Sequence, residues 1–278
     1  MLHLATTLAL APLLVWQGRR VRATALELPE APGPRSGRVG PSPTPFRLLV
    51  IGDSAAAGVG VPSQDHAITG CLVQALMQSS TGTTKHTGSV EWRLIARTGH
   101  RLSHVIREVE GASLEWAPVE GHTAAPRTDL VVVSAGINDV LQGTSPARWL
   151  AGLQRLADEL ERSAAPRRVA FSGIPRIQDF PLLPQPLAWY LGRCAQRLNR
   201  ATLDFIEKQA PISWRYVKLD LPLTPDFLAH DCFHPNEASC RLWCEQVMAA
   251  TLDEHAGSDS GRDGRDDGNN DGDGQVGD

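Results

Sequence analysis

The sequence lacks the excess of positive charge that a nucleic-acid partner would call for. Its 278 residues carry a formal net charge of -4, with 27 Lys and Arg against 31 Asp and Glu. A nucleic-acid-binding protein usually presents a marked excess of positive charge, so we expect no nucleic-acid partner. Cysteines are few, and they lack the tight spacing of a disulfide scaffold. The cysteines are Cys71, Cys194, Cys232, Cys240 and Cys244. Their number and spacing favour a reducing compartment.

The sequence also lacks an apolar run long enough to span a bilayer. Residues 2–16 are mostly apolar, whereas a spanning helix needs about 20 such residues. Arg19, Arg20 and Arg22 follow the run, and no Lys or Arg precedes it as in a secretory signal. We therefore interpret residues 1–22 as a short uncleaved anchor that associates the protein with a membrane and keeps the next domain on the cytoplasmic side. A cleaved signal, which would make the protein periplasmic or secreted, is the second interpretation. A core helix or a misassigned start is the third.

Two further segments have an amino-acid composition that is unlike that of a folded domain. Residues 23–45 are rich in Pro and Gly, which predicts an extended linker. Residues 254–278 are acidic, rich in Gly and Asp, and almost without apolar side chains. They cannot bury enough surface to offset the entropy of ordering, so we predict a disordered tail. One folded domain is left, at residues 46–253.

Within this domain, short apolar runs alternate with segments of helical period. The runs at residues 46–52, 90–97, 130–136 and 168–173 are followed closely by glycine or turn residues, as expected of strands that are buried on both faces. A more polar fifth run, at residues 213–219, is typical of an edge strand. The alternation predicts an α/β fold with a five-stranded parallel sheet and helices on both faces.

Polar residues and a glycine follow these predicted strands. Ligands of open parallel sheets bind at the carboxyl ends of the strands. Ser54 follows the first run, Gly99 the second, Asn138 the third, and Asp231 and His234 the fifth. We therefore expect these residues to meet at one edge of the sheet.

These residue types suit the transfer of an acyl group. Ser54 supplies a hydroxyl nucleophile, His234 a base, and Asp231 a carboxylate that orients the base. The spacing between Asp231 and His234 lets a single loop present both side chains. The N–H groups of Ser54 and Gly99 and the side-chain amide of Asn138 are candidate donors to an oxyanion.

The same residues stand in four motifs that resemble those of the SGNH (GDSL-type) hydrolases. The motifs occur in the family's order and are Gly52-Asp53-Ser54, Gly99, Gly136-x-Asn138-Asp139 and Asp231-x-x-His234. They depart from the family pattern at Ala55, where the family name has leucine. The resemblance implies a flavodoxin-like three-layer sandwich and an esterase or lipase-like serine hydrolase that uses neither metal nor cofactor. It also implies a catalytic triad of Ser54, Asp231 and His234, with an oxyanion hole formed by Ser54, Gly99 and Asn138.

Other interpretations of these residues have less support. Gly58 and Gly60 suggest a nucleotide-binding turn, but neither the dinucleotide fingerprint nor a P-loop is present. Cys232 is an alternative nucleophile, which the setting of Ser54 disfavours. The cluster of His230, Asp231, Cys232 and His234 and the pair His100 and His104 lack a complete metal-ligand pattern. We predict no metal site, and we interpret the pair as solvated helix histidines. Asp53 and Asp139 are expected to hold loops through hydrogen bonds.

The sequence predicts the substrate less closely than it predicts the reaction. Residues 174–192 combine prolines with large apolar side chains, namely Phe180, Leu182, Leu183, Leu187 and Trp189. Such a rim suits an acyl chain or a membrane surface, or it packs as an ordinary lid. We expect a small-molecule ester as substrate, either a lipid or an acylated sugar. Carbohydrate O-deacetylation and acyl transfer are alternatives on the same site, and a binding module without catalysis is an alternative of another class.

Overall fold

A six-stranded β-sheet forms the centre of the protein, seen in a computed structural model that describes residues 2–78, 88–116, 126–208, 210–211 and 213–252. The strands are β1 (Ser36–Val39), β2 (Phe46–Gly52), β3 (Val90–Ala96), β4 (Leu130–Ser134), β5 (Arg168–Ser172) and β6 (Trp214–Val217). Their order in the sheet is β1-β3-β2-β4-β5-β6. β1 is antiparallel to β3, and the other neighbours are parallel. The carboxyl ends of β2 to β6 therefore share one edge of the sheet.

Helices cover both faces of this sheet. The α-helices of the described residues are α1 (Leu2–Thr24), α2 (Ile68–Gln78), α3 (Leu102–Gly111), α4 (Ile137–Leu141), α5 (Pro146–Ser163), α6 (Leu187–Lys208) and α7 (Glu237–Leu252). Leu48 and Val50 of β2 belong to the same core cluster as apolar residues of α2 and α7. Leu49 and Ile51, which point to the opposite face, belong to a second cluster with residues of α3, α5 and α6. Every residue of β2 is buried, as predicted for a strand between two helical layers.

The predicted α/β fold with helices on both faces is confirmed, but the sheet has one strand more than predicted and is mixed. The extra strand, β1, lies within residues 23–45, the segment predicted to be a linker. Its four residues are all exposed, so no alternation of apolar side chains marks it in the sequence. It is held by pairing with β3, where Val39 lies opposite Val90. The predicted acidic tail at 254–278 lies outside the described residues.

The N-terminal helix α1 packs against the folded domain. Leu14 and Gln17 are each only 7% exposed. The Gln17 amide donates to the carbonyl of Gln185 at 2.7 Å, and its side-chain oxygen accepts the N–H of Leu187 at 3.1 Å. Among the residues described, no helix has both the length and the apolar character that crossing a membrane requires. The membrane association predicted for residues 1–22 stays a prediction.

The cysteines are used as small apolar side chains rather than as cross-links. All five are free thiols. Cys240 and Cys244 are buried on α7, and burial raises the pKa of the Cys244 thiol to about 12. A thiol with so high a pKa stays protonated at neutral pH and packs like a small hydrophobic group.

Candidate active site

Ser54 lies just beyond the carboxyl end of β2. Strand β2 ends at Gly52, where a Cβ atom would lie 2.4 Å from the carbonyl oxygen of Ser134 on β4. Only glycine allows the two strands to approach so closely at this point. The next N–H, from Asp53, donates to the same Ser134 carbonyl. The chain then turns and leaves Ser54 half-buried at the sheet edge.

Asp231 organises the loop that carries His234. One carboxylate oxygen of Asp231 accepts the N–H groups of Phe233 and His234, each at 3.0 Å. These bonds form an Asx-type turn, which the short aspartate side chain makes with the residues two and three positions later. The other carboxylate oxygen lies 2.5 Å from Nδ1 of the His234 ring. A separation of three residues is therefore enough for Asp231 to hold both the backbone and the ring of His234.

The ring of His234 joins this loop to Ser54. Its Nε2 atom lies 2.9 Å from the Ser54 Oγ atom, across 180 positions of sequence. An ionised carboxylate has no hydrogen to donate, so Nδ1 must carry the proton that is shared with Asp231. Nε2 of a neutral ring is then an acceptor for the Ser54 hydroxyl. The structure thus brings Ser54, His234 and Asp231, three of the predicted site residues, into one hydrogen-bonded series.

The pKa of Asp231 is consistent with an ionised partner for His234. Burial by itself would raise the pKa of this carboxyl group, whose side chain is 3% exposed. The hydrogen bonds from the His234 ring and from the N–H groups of His234 and Phe233 outweigh burial, so the pKa lies below its usual value. Asp231 therefore remains a carboxylate at neutral pH.

Gly99 and Asn138 lie beyond the next two strands of the sheet. Gly99 follows β3 and has φ +79, in the left-handed region that favours glycine. Asn138 lies in the first turn of α4, just after β4, and its amide donates to the carbonyl of His100 at 3.0 Å. An amide group has two hydrogens, so this bond leaves a second donor for a ligand. The strands that precede Ser54, Gly99 and Asn138 are neighbours in the sheet, as expected from the sequence.

The segment predicted to be a linker supports the Gly99 loop. Glu30 accepts the N–H of Thr98 at 2.7 Å, and Arg35 donates to the carbonyl of Ala96 at 2.5 Å. Glu30 and Arg35 also form an ion pair with each other. Burial would raise the pKa of Glu30, but the Thr98 N–H and the Arg35 guanidinium together hold it below its usual value. This support was not predicted, because Glu30 and Thr98 are 68 positions apart.

Asp53 and Asp139 hold loops, as the sequence predicted. Asp53 accepts the N–H of Ala55 and the hydroxyl of Ser134, both at 3.2 Å. Burial raises the pKa of Asp53 to about 6, against the opposing effect of these two bonds. Asp139 accepts the N–H of Leu102 at 2.9 Å. It thereby ties the start of α3, near Gly99, to α4, which carries Asn138.

Gly60 has a structural role that sequence reasoning missed. It has φ +100, and a Cβ atom there would lie 2.8 Å from both the carbonyl oxygen of Pro235 and the Cβ of Ala229. The absence of a side chain lets the loop that carries His234 close on the loop that carries Ser54. Gly58 similarly packs against Ala31. The pair of glycines therefore permits close packing and need not be explained as a nucleotide-binding turn.

Cys232, His230 and His100, which were weighed above for other roles, lie in different surroundings. Cys232 is half-buried, in the left-handed backbone conformation with φ 57, between Asp231 and Phe233. His230 is exposed. Within the described parts of the chain, no group of three or more His, Cys, Asp or Glu is arranged to hold a metal ion. The interpretation of His100 as a solvated helix histidine is wrong, because it precedes α3 and its side chain is only 14% exposed.

Comparisons with known proteins agree with this geometry at the level of the fold and the family. A family model described as GDSL-like lipase/acylhydrolase matches residues 50–242. That range contains all the site residues discussed above, from Ser54 to His234. A search of the curated proteins gives no match.

Solved structures share the fold at low sequence identity. A family 3 carbohydrate esterase from Clostridium thermocellum is 14% identical, with 76% of this chain and 96% of that chain covered and a TM-score of 0.52. A family 2 carbohydrate esterase from Corynascus thermopiles is 15% identical, with 80% and 68% covered and a TM-score of 0.51. The lipase Lip_vut3 from a goat rumen metagenome is 12% identical, with 74% and 97% covered and a TM-score of 0.50. Similarity at this level shows a common fold and leaves the substrate open.

Proposed function

Because the chain belongs to the GDSL-like lipase/acylhydrolase family, we propose that it is a serine hydrolase that cleaves a carboxylic ester through an acyl-enzyme on Ser54. The observation that carries the proposal is the hydrogen-bonded series at the sheet edge. Ser54 Oγ lies 2.9 Å from His234 Nε2, and His234 Nδ1 lies 2.5 Å from Asp231. A nucleophile, a base and a group that orients the base are thus already in contact.

In the proposed acylation step, Ser54 Oγ attacks the carbonyl carbon of the ester while His234 Nε2 takes the hydroxyl proton. Asp231 stabilises the imidazolium that results. The negative charge moves to the carbonyl oxygen, to which the N–H groups of Ser54 and Gly99 and the amide of Asn138 donate hydrogen bonds. The bond to the alcohol oxygen then breaks, and the alcohol leaves with the proton from His234.

In the proposed deacylation step, a water molecule gives a proton to His234 and attacks the acyl carbon. The second tetrahedral intermediate expels the Ser54 oxygen, which recovers its proton from His234. The products are a carboxylic acid and an alcohol, and the enzyme returns to its starting state. If an alcohol replaces water, the same steps transfer the acyl group to that alcohol, so acyl transfer is an alternative outcome at this site.

The hydrolysis of p-nitrophenyl butyrate tests the reaction class. We expect the wild type to turn over this ester and the Ser54→Ala variant to lose roughly 10³-fold or more in kcat, since removing one member of a triad disables the unit. Ser103→Ala removes an exposed hydroxyl on α3 and is the matched control, with activity within about twofold of the wild type. Full activity in Ser54→Ala would refute the proposal.

The alternatives are distinguished by changing the substrate or the acceptor in this assay. An O-deacetylase would prefer an acetylated sugar to a p-nitrophenyl ester and would release acetate from it. An acyltransferase would form a new ester when an alcohol acceptor is added. A binding module would turn over none of these compounds, and circular dichroism of the same sample would show that the protein is folded.

The outer face of α1 supports a second proposal, that of peripheral association with a membrane. Leu13 and Trp16 are 40% and 55% exposed, and Arg20 lies over the Trp16 ring. Exposed apolar and aromatic side chains beside arginines are typical of helices that lie in a bilayer interface. Sedimentation with anionic vesicles tests the proposal, because Trp16→Glu should reduce binding. The control Val39→Glu, at an exposed valine of β1, should bind like the wild type, and equal binding of all three proteins would contradict the proposal.

A further inference from the structure

A large apolar pocket opens beside His234, between α1 and α6. Its volume is about 590 Å³, within the range of roughly 300–1,000 Å³ that small-molecule sites occupy. Asp231, Phe233 and His234 line one end, so the pocket reaches the residues to which we assign catalysis. A second cavity, beside Asp53, has a volume of only about 50 Å³. Of these two spaces, only the first has room for a chain of several carbon atoms.

The walls of the pocket are mostly aliphatic. Val140 and Leu141 of α4 lie on one side, and Leu187 and Leu191 of α6 lie on another. A sugar ring needs several polar groups to satisfy its hydroxyls, whereas a saturated chain needs only apolar surface. The chemistry of these side chains therefore favours an aliphatic ligand over an acylated sugar.

Helix α1 forms a long wall of this pocket. Its lining residues run from Ala11 to Arg22, a distance of about 16 Å at the helical rise of 1.5 Å per residue. The wall is held against α6 by Gln17, whose side chain bonds to Gln185 and Leu187 at the start of that helix. At the solvent side, Arg22 is exposed. The pocket thus has an apolar interior, a polar mouth and a catalytic end.

We infer that this pocket binds a long aliphatic chain of the ester that Ser54 attacks, with α1 as the wall that selects for chain length. The inference rests on the proposed function and extends it from the reaction to the substrate class. The chain belongs to either the acyl group or the alcohol of the ester, since both join the carbonyl carbon that Ser54 reaches. Helix α1 carries none of Ser54, Asp231 and His234, so chain-length preference and catalysis can be tested separately.

Gly18 allows the pocket to be filled without disturbing α1. It lines the pocket, one helical turn from the buried Leu14. A Cβ atom at Gly18 meets no heavy atom within 4 Å, so a larger side chain has space in which to extend. Glycine is also a poor helix former, so its replacement favours the helix. Gly18→Phe should therefore occupy the pocket. Gly111→Phe adds the same side chain at the end of α3, at an exposed glycine that also has no heavy atom within 4 Å of a Cβ and does not line the pocket, and it is the matched control.

The test measures kcat/KM of the full-length protein for two pairs of esters below their micellar concentrations. The acyl pair is p-nitrophenyl acetate and p-nitrophenyl decanoate, and the alcohol pair is ethyl acetate and decyl acetate. In one pair, Gly18→Phe should lower kcat/KM for the long ester about 15-fold, which is roughly the effect of losing contact with two methylene groups. The short ester should change by less than about twofold, and the control Gly111→Phe should behave as the wild type does with both esters. The pair that responds identifies which part of the ester carries the chain.

A second variant, on the opposite wall of the pocket, shows whether the effect of Gly18→Phe comes from filling the pocket or from a folding defect in α1. Leu141→Trp adds volume at a residue that is 38% exposed, and it should give the same selective loss for the long ester. An equal effect of both variants on long and short esters, or no effect on either, would overturn the inference and leave the proposed function intact. No turnover of any ester by the folded wild type would overturn the proposed function itself, and the inference with it.

Discussion

The amide of Asn138 donates a hydrogen bond to the backbone carbonyl of His100 at 3.0 Å, next to Gly99 in the chain. Two candidate donors to an oxyanion, the Gly99 N–H and the Asn138 amide, are therefore held together before any substrate binds. Asp139 adds a second tie between the same loops through the N–H of Leu102. Donors that are already in place need no reorganisation at the moment of reaction, and this makes such groups effective in catalysis.

Replacing Asn138 separates transition-state stabilisation from substrate binding. We expect Asn138→Ala to lower kcat by roughly 10²–10³, or about 2.7–4 kcal/mol, with little change in KM, because the amide is proposed to donate to charge that develops in the transition state. Steady-state kinetics on a soluble ester measure both constants. The control Gln142→Ala, at an exposed residue just after α4, should match the wild type. An increase in KM with kcat unchanged would make Asn138 a substrate contact instead.

Gly60 should be intolerant of any side chain. Gly60→Ala brings a Cβ atom within 2.8 Å of the Pro235 carbonyl, and the residue must also keep a left-handed backbone, so the unfolding free energy should fall by more than about 2 kcal/mol. Displacement of His234 should lower kcat by about tenfold or more. Gly88→Ala is the matched control, since Gly88 also has positive φ but nothing within 4 Å. Equal losses in the two variants would mean that backbone strain, rather than contact with the His234 loop, explains the effect.

Ionisation of Asp53 should cost stability as the pH rises. Its pKa is about 6 in the folded protein against an ordinary value of 3.8, so the native state binds the proton more tightly than the unfolded chain does. Stability therefore falls between about pH 4 and pH 6, by a total of about 3 kcal/mol. In Asp53→Asn this loss should be absent, so urea unfolding should show a difference from the wild type that grows across that range and is constant above it. The control Asp65→Asn, at an exposed position, should stay within about 0.5 kcal/mol of the wild type throughout. A pH-independent difference for Asp53→Asn would contradict the account.

Glu30 should act on Gly99 through its hydrogen bond rather than through its charge. The ion pair between Arg35 and Glu30 has side chains that are 40% and 29% exposed, and ion pairs so accessible to water contribute little. Glu30→Ala loses the acceptor for the Thr98 N–H and should lower kcat by about tenfold, since a small shift of an oxyanion donor is costly. Glu30→Gln keeps an acceptor and should restore most of the activity. The exposed Glu27 provides the control, Glu27→Ala, and a loss in Glu30→Gln as large as in Glu30→Ala would show that the charge matters instead.

The contact between Ser54 and His234 could be predicted from the sequence, because Ser54 follows an apolar run that reads as a buried strand and His234 follows the last predicted strand. Parallel strands place their carboxyl ends at one edge, so position in the chain determined position in the site. The Asx-type turn of Asp231 is equally local, since it depends on residues two and three positions later. The catalytic roles of these residues stay a proposal until the kinetic tests are made.

Strand β1, the docking of α1 and the role of Gly60 depend on contacts between distant parts of the chain, which local sequence patterns do not predict. Strand β1 has four exposed residues and is defined only by its pairing with β3. The docking of α1 depends on Gln17 meeting Gln185, 168 positions away. The role of Gly60 depends on its contact with the loop that carries His234, and sequence periodicity does not predict that contact. The contact between Glu30 and Thr98, 68 positions apart, likewise supports the Gly99 loop, and the docking of α1 supplies a wall of the apolar pocket.

The covalent adduct formed by a fluorophosphonate probe tests the central claim most directly. The probe phosphonylates an activated serine, so mass spectrometry of peptides from the labelled protein should find one adduct, on Ser54. The adduct should be absent in Ser54→Ala and should form more slowly in His234→Ala, because the neutral hydroxyl is a weak nucleophile without its base. Labelling of Cys232 or of another serine, with Ser54 unmodified, would contradict the account.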